Sequence, residues 1–299
     1  MSAKEDAFSS YHPIVNIFYF ALVLGFTMLF THPVCLGVSL TCAFIYSISL
    51  RGVKALRFSL LYMLPMLMIT ALLNPLFNHE GATILAYFSN GNPLTLESIL
   101  YGVAAAVMLI SVIHWFSCFN EVITSDKLVY LSGRILPALS LLLSMTLRFA
   151  PRFSAQLKIV SDAQRGMGRN LTKGGIINRA RQGIRILSVM ITWALENAVE
   201  TADSMKSRGY GLKGRTAFTR YRFDRRDLFA LFYLITCGLY ITAGAALGGL
   251  YFRWFPTVKG VDGGAFSVSI YIVYLALGLM PVAINYLEDV KWKSIQSKI

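Results

Sequence analysis

Charge is what this sequence has least of. Only 14% of its 299 residues are Asp, Glu, Lys or Arg, against about 25% in a soluble domain, so its surface cannot be mostly wet. The deficit is concentrated: Tyr11–Leu50, Phe58–His79, Ser98–Asn120, Leu228–Phe252 and Gly263–Leu287 contain no charged residue at all. Thiol and imidazole chemistry is equally scarce. The four cysteines (Cys35, Cys42, Cys118, Cys237) show no CxxC spacing and read as small buried hydrophobes. The four histidines (His12, His32, His79, His114) form no HExxH or similar cluster, so no metal site and no resident cofactor is expected. A G-x-x-x-x-G-K-[ST] phosphate loop is missing, which excludes ATP hydrolysis by that route. The start, Met-Ser-Ala-Lys-Glu-Asp, is mixed in charge, no small-x-small site follows the first apolar stretch, and Pro33-Val34 lacks the small residues of a lipoprotein site before Cys35. No cleavable leader is therefore expected.

What is present in place of charge is hydrophobic length. The composition is 56% hydrophobic with a mean hydropathy of +0.58. A membrane-crossing helix needs about 20 predominantly apolar residues. The first uncharged stretch is about twice that, and it is broken at Thr31-His32-Pro33. The expectation is an all-α polytopic membrane protein with six spans, near 14–30, 33–50, 58–75, 99–119, 228–250 and 266–287. Charge orients them. Arg51, Lys54 and Arg57 follow the second span, and Lys291, Lys293 and Lys298 follow the last. The 31–33 turn and the 76–98 loop carry no Lys or Arg, and the 251–265 loop is nearly neutral. Because cytoplasmic loops are enriched in Lys and Arg, both termini are placed in the cytoplasm and the chain in a cell membrane. The formal net charge of +13 then needs no nucleic-acid partner.

This organisation gives a membrane region over 1–120, a basic cytoplasmic insert over 121–227, and a second membrane region with a basic tail over 228–299. The insert holds 19 of the 28 Lys and Arg and 8 of the 15 acids, yet its apolar residues have helical spacing. Leu139, Leu142/Leu143, Thr146/Leu147 and Ala150 fall on one stripe. Pro137 sits at the start of that run, where proline is tolerated, whereas Pro151 inside it is expected to kink or divide the helix. The run stops at Gly166-Met167-Gly168. A second run goes from Ile176 to Lys206 and stops at Arg208-Gly209-Tyr210-Gly211. Each run could reach about 45–50 Å. Glu196, Glu200 and Asp203, at i, i+4 and i+7, read as a solvated face because no His or Cys accompanies them. Val189, Trp193 and Leu195 supply apolar surface.

Both helix ends set arginine beside glycine: Gln164-Arg165-Gly166-Met167-Gly168-Arg169 and Ser207-Arg208-Gly209-Tyr210. Arginine at a helix C-terminus gains about 0.3–1 kcal/mol from the dipole. It could also fork onto partner carboxylates in a bidentate geometry that lysine cannot copy. The repetition, about 43 residues apart in one insert, points to the second use.

At these residues the chain resembles the transmembrane T component of energy-coupling factor transporters, ABC importers of vitamins and metal ions. The family shows Leu-Pro, then Arg-Phe-x-Pro, then Ala-Gln before an Ala-Arg-Gly-like tip; here these read Leu136-Pro137, Arg148-Phe149-Ala150-Pro151 and Ala163-Gln164. The second tip, Ala-Arg-Gly-Tyr in the family, is Ser207-Arg208-Gly209-Tyr210. The first departs from the pattern. Alignment on Ala163-Gln164 puts Met167 where the arginine belongs, while alignment on the Arg-Gly pair shifts the tip to Gln164-Arg165-Gly166; under either, Arg165 or Arg169 is the candidate substitute. Tyr11-His12-Pro13 stands where an Asp-Pro-Arg motif is often found. The resemblance implies a non-enzymatic scaffold whose tips dock into two ABC ATPase subunits and which contacts a substrate-binding membrane subunit, the S component. Pro137, Arg148 and Pro151 would shape the coupling helices, and the cargo would be a vitamin or an ion such as cobalt. A membrane enzyme on lipid phosphates would need carboxylates, a metal set or a nucleophile–base pair at recognisable spacing, and a secondary transporter usually keeps ionisable groups inside its spans. Neither pattern is present.

Overall fold

The computed structural model describes residues 6–87, 91–168, 175–210, 221–260 and 264–296. The chain forms two compact units, Met1–Lys127 with Tyr221–Ile299, and Leu128–Arg220.

The first unit is a bundle of apolar helices: α1 (Pro13–Leu29), α2 (Pro33–Arg51), α3 (Val53–Phe58), one π-helical turn (Ser59–Met63), α4 (Leu64–Phe77), α5 (Leu96–Val122), α9 (Arg225–Ala246) and α10 (Ala265–Gln296). The starts of α1 and α2 share one device. His12 and His32 cap helices whose first residue is proline, each ring Nδ1 accepting from the backbone N–H two residues on, at 3.3 Å. Proline fits there because its missing N–H would have had no intrahelical partner. Among the described residues five segments are long and apolar enough to cross a membrane: Pro33–Arg51, Val53–Phe77, Leu96–Val122, Arg225–Ala246 and Ala265–Gln296. The expected first span is the 17-residue helix Pro13–Leu29, which spans about 26 Å and so lies at the short end of membrane-crossing lengths. The last helix runs on to Gln296, well past the uncharged stretch that ends at Leu287.

The core of this unit is built from α1, α2, α5, α9 and α10 around Tyr19, Phe20, Tyr46, Trp115, Leu234, Ile270, Tyr274 and Leu277. A hydrogen-bonded node joins four of these helices. Thr27 Oγ1 meets Ser39 Oγ (2.5 Å) and Tyr274 Oη (3.2 Å), and Trp115 Nε1 donates to Ser39 Oγ (3.0 Å). Buried hydroxyls must find such partners, since an unpaired one costs about 1–3 kcal/mol. Small residues permit close approach, as is usual between membrane helices: a Cβ on Gly278 would lie 2.8 Å from Cys42 Sγ. Segment α3–α4 packs on α5, where Asn74 Nδ2 donates to Ser98 O at 2.7 Å. Its other faces, including Leu61, Leu64, Met68, Leu72 and Phe77, are exposed. Two small antiparallel hairpins lie between helices, β1 (Ile84–Tyr87) with β2 (Pro93–Thr95) and β3 (Phe252–Arg253) with β4 (Lys259–Gly260). Ala82 N donates to Pro256 O at 2.9 Å, joining the segments beside them.

A strap of residues before α1 is tied to the bundle by polar contacts. Asp6 accepts from Asn285 Nδ2, from Tyr46 Oη (3.1 Å) and from Ser9 N (3.0 Å). Lys127 is buried; its Nζ donates to Ser9 O (2.6 Å), to Val122 O (2.8 Å) and to the side-chain oxygen of Asn16 (2.9 Å). Burial pushes the Lys127 ammonium down to about 8 and raises the Asp6 carboxyl, each partly countered by the other's charge.

The second unit contains α7 (Pro137–Gly166) and α8 (Ile176–Ser207), preceded by α6 (Ser125–Ile135). Pro137 takes the first position of α7. Pro151 does not divide α7, which runs unbroken for 30 residues. A helix can carry an interior proline because only one ladder bond is lost. The packing face of α7 also differs from the expected stripe. Leu142, Leu143 and Leu147 are exposed, while Leu141, Met145, Phe149, Phe153, Gln156 and Val160 are half-buried. Helix α7 is apolar on more than one side in its first half, so its periodicity could not say which side would take a neighbour.

Candidate functional site: two helix tips

Each long helix of the second unit ends in the same backbone turn. On α8, Arg208 is the C-cap (φ −85°, ψ 10°) and Gly209 has φ +76°. Gly209 N donates to Lys206 O (3.0 Å) and Tyr210 N to Met205 O (3.0 Å). This pair of bonds satisfies the last carbonyls, and glycine is required because its φ lies in the left-handed region. On α7, Met167 is the C-cap (φ −80°, ψ 14°), Gly168 has φ +77°, and Gly168 N donates to Arg165 O (3.1 Å). The two left-handed glycines thus fix the register between the tips. Met167 stands where Arg208 stands, Gly166 where Ser207 stands, Arg165 where Lys206 stands and Gln164 where Met205 stands. Of the two alignments open from sequence, this geometry matches the one that puts methionine in the arginine's place. Arg169 lies outside the described residues.

Both tips are open. Arg165, Gly166, Met167 and Gly168 are exposed, Gln164 half-buried, and Ser207 and Arg208 exposed beside a half-buried Gly209. Among the described residues Arg208 makes no ion pair, so its guanidinium is held only by its place at the negative end of the helix dipole. Ser207 Oγ donates to Ser204 O at 2.8 Å, back along its own helix. Glu196, Glu200 and Asp203 are exposed along α8, as a solvated face should be.

Behind the tips is a cluster that periodicity did not bring out. Trp193 of α8 stacks on Phe149 of α7 (centroids 5.7 Å, 29°) and leans on Phe153 (6.3 Å, 56°), while the Arg152 guanidinium lies 5.9 Å from its ring centre. Phe149 and Phe153 at i, i+4 were the available signal, but their partner lies 40 residues away in sequence. Arg148 is exposed on α7 within this region and Pro151 sits between the two phenylalanines.

These features define a class: an all-α membrane protein carrying a helical insert with two open, glycine-capped ends. Comparison with known proteins gives the family. Residues 12–218 match the family described as cobalt transport protein, CbiQ. Similar proteins include the energy-coupling factor transporter transmembrane protein EcfT of Lactobacillus helveticus, 38% identical over 99 residues, or 32% of this chain and 35% of that protein. The EcfT of Streptococcus thermophilus is 31% identical over 102 residues, 34% of this chain and 39% of the relative. EcfT 1 of Listeria monocytogenes aligns more widely, 27% identical over 241 residues, 76% of this chain and 84% of that protein. The chain spans little more than a third of the first two relatives and most of the third. It belongs to the CbiQ/EcfT family of transmembrane components of energy-coupling factor transporters, and it is a multi-pass membrane protein.

Proposed function

We propose that this chain is the coupling scaffold of an importer, carrying ATP-driven movement from two ABC ATPase subunits to a membrane-embedded substrate-binding S component. The observation that carries the reading is the repeated tip: two helices of one unit end in the same left-handed glycine cap, each presenting an exposed C-cap side chain, Met167 or Arg208. One ATPase subunit would receive each tip. At the second, the exposed guanidinium of Arg208 would fork onto partner carboxylates; at the first, Met167 would fill the same place as an adaptable apolar plug, with Arg165 supplying charge two residues back.

The exposed apolar faces of the bundle and of the long helices suit a lipid bilayer and the S component. ATP hydrolysis belongs to the partners in this reading, and the chain has no catalytic residue of its own. Both termini and the insert lie in the cytoplasm of a bacterial cell in this reading, which the basic loops support. The cargo in this reading is a vitamin or a metal ion, and cobalt is the one that the family's description names. Affinity purification of the tagged chain from its native membrane tests this. Two ATPase polypeptides should be retained with it, and a preparation that retains neither overturns the docking.

A further inference from the structure

The arms that carry the tips extend a long way beyond the aromatic cluster. From Trp193 to Arg208 is 15 residues and from Phe153 to Met167 is 14, so each tip stands about 21–23 Å past the aromatic cluster at 1.5 Å per residue. On α8 the buried residues are Ile186, Met190 and Asn197. From Ala198 to Ser204 every residue is exposed. Asn197 is the last buried residue of α8, one turn past Trp193, and on α7 Gln156, Val160 and Gln164 stay half-buried past Phe153. The cluster therefore lies inside the stretch where the two helices are covered. It also coincides with a weak point. Pro151 has no N–H to give to Leu147 O, which makes α7 most easily bent between Phe149 and Phe153.

We propose that Trp193, gripped by Phe149 and Phe153 with the Arg152 guanidinium against its ring, is the positioning residue that splints α7 at Pro151 and fixes the angle between the two tip-bearing arms. A flat indole is well suited to act as a splint, because it offers a large rigid contact with few rotatable bonds and its face attracts the guanidinium. The lever is long. A change of about 10° in one arm would carry its tip about 4 Å, taking the arm as a rigid helix of about 22 Å, which is more than a docked side chain tolerates. With the arms splinted, two separate ATPase subunits would move the scaffold through one rigid body. This coupling role rests on the docking proposed above; the splint itself does not.

The test has two readouts on the full chain. Nitroxides at Met167→Cys and Ser207→Cys, with the four native cysteines replaced, report the tip-to-tip distance in nanodiscs without partners. The parent should give one narrow distribution, Trp193→Ala a broad or displaced one, and Trp193→Phe a return to the parent. An unchanged distribution in Trp193→Ala overturns the splint. In the reconstituted complex, Trp193→Ala should retain its ATPase subunits and their ATP turnover while uptake per ATP falls by about 5- to 150-fold, the range of ordinary coupling between sites. A purely structural residue would instead lower assembly, turnover and uptake together, and that result refutes the positioning role, as does unchanged uptake per ATP. Failure of the parent to retain any ATPase subunit would defeat the docking, and the distance measurement would still decide the splint.

Discussion

Replacing Arg208 by alanine separates two costs that differ by several-fold. In the chain alone the side chain is exposed at the α8 C-cap and pairs with no carboxylate among the described residues. Its loss there removes only the dipole contribution, about 0.3–1 kcal/mol, and leaves the cap intact, because the two bonds that close it are made by the N–H groups of Gly209 and Tyr210. In a docked tip the same deletion strands the partner's carboxylates, and breaking a buried pair costs about 3–5 kcal/mol, which is at least a hundredfold in that contact's equilibrium constant. Arg208→Ala should therefore reach the membrane folded, with its melting profile lowered only slightly, and lose ATPase copurification and uptake. Arg208→Lys should recover part of the loss, since a point charge makes one contact where the planar fork makes two. Arg165→Ala and Arg169→Ala should each cost less, because the first tip presents Met167, not arginine, at the equivalent cap position. The assay is uptake with retained ATPase measured in the same preparations. Full transport by Arg208→Lys, or equal small losses in all the variants, would refute a specific guanidinium contact and leave a diffuse surface charge in its place.

Other expectations follow from the same structure. The isolated chain should hydrolyse no ATP above a mock preparation; turnover that survives further purification would contradict the scaffold role. Cysteine labelling should reach position 91 from outside and position 173 from the cytoplasm, and labelling of 91 from the cytoplasmic side alone would overturn the six-span topology. Lys127→Met strands two carbonyls, Ser9 O and Val122 O, at about 1–3 kcal/mol each, and should lower the melting temperature in detergent. The gap should also depend on pH. Burial holds the folded ammonium down to about 8 against 10.5 when unfolded, so between those values the unfolded chain binds the extra proton and Lys127 adds stability as pH rises. The parent should pull further ahead of the variant from pH 8 to 10.5; a constant gap would mean that Lys127 is not held in that buried site.

The spans were legible in the sequence because a bilayer tolerates almost no charge, and runs such as Tyr11–Leu50 without a single Asp, Glu, Lys or Arg have no other economical reading. The helix tips were legible for an equally local reason: only glycine readily takes the left-handed turn that closes a helix, so Gly168 and Gly209 mark the ends wherever the helices lie. Tertiary structure alone decided what depends on residues far apart in the chain. Whether Leu142 or Leu141 of α7 faces a neighbour is set by what packs against that helix, and no apolar pattern within α7 contains that information. The node of Thr27, Ser39, Trp115 and Tyr274 brings together residues up to 247 positions apart, and the grip of Phe149 and Phe153 on Trp193 spans 40 or more. The equivalence of Met167 with Arg208 needed backbone angles, because two alignments of the letters were open and only the positive φ of each glycine fixes the register. Local chemistry thus sets where helices start, stop and cross the membrane, and packing chooses among the faces and partners that this chemistry leaves equally favourable.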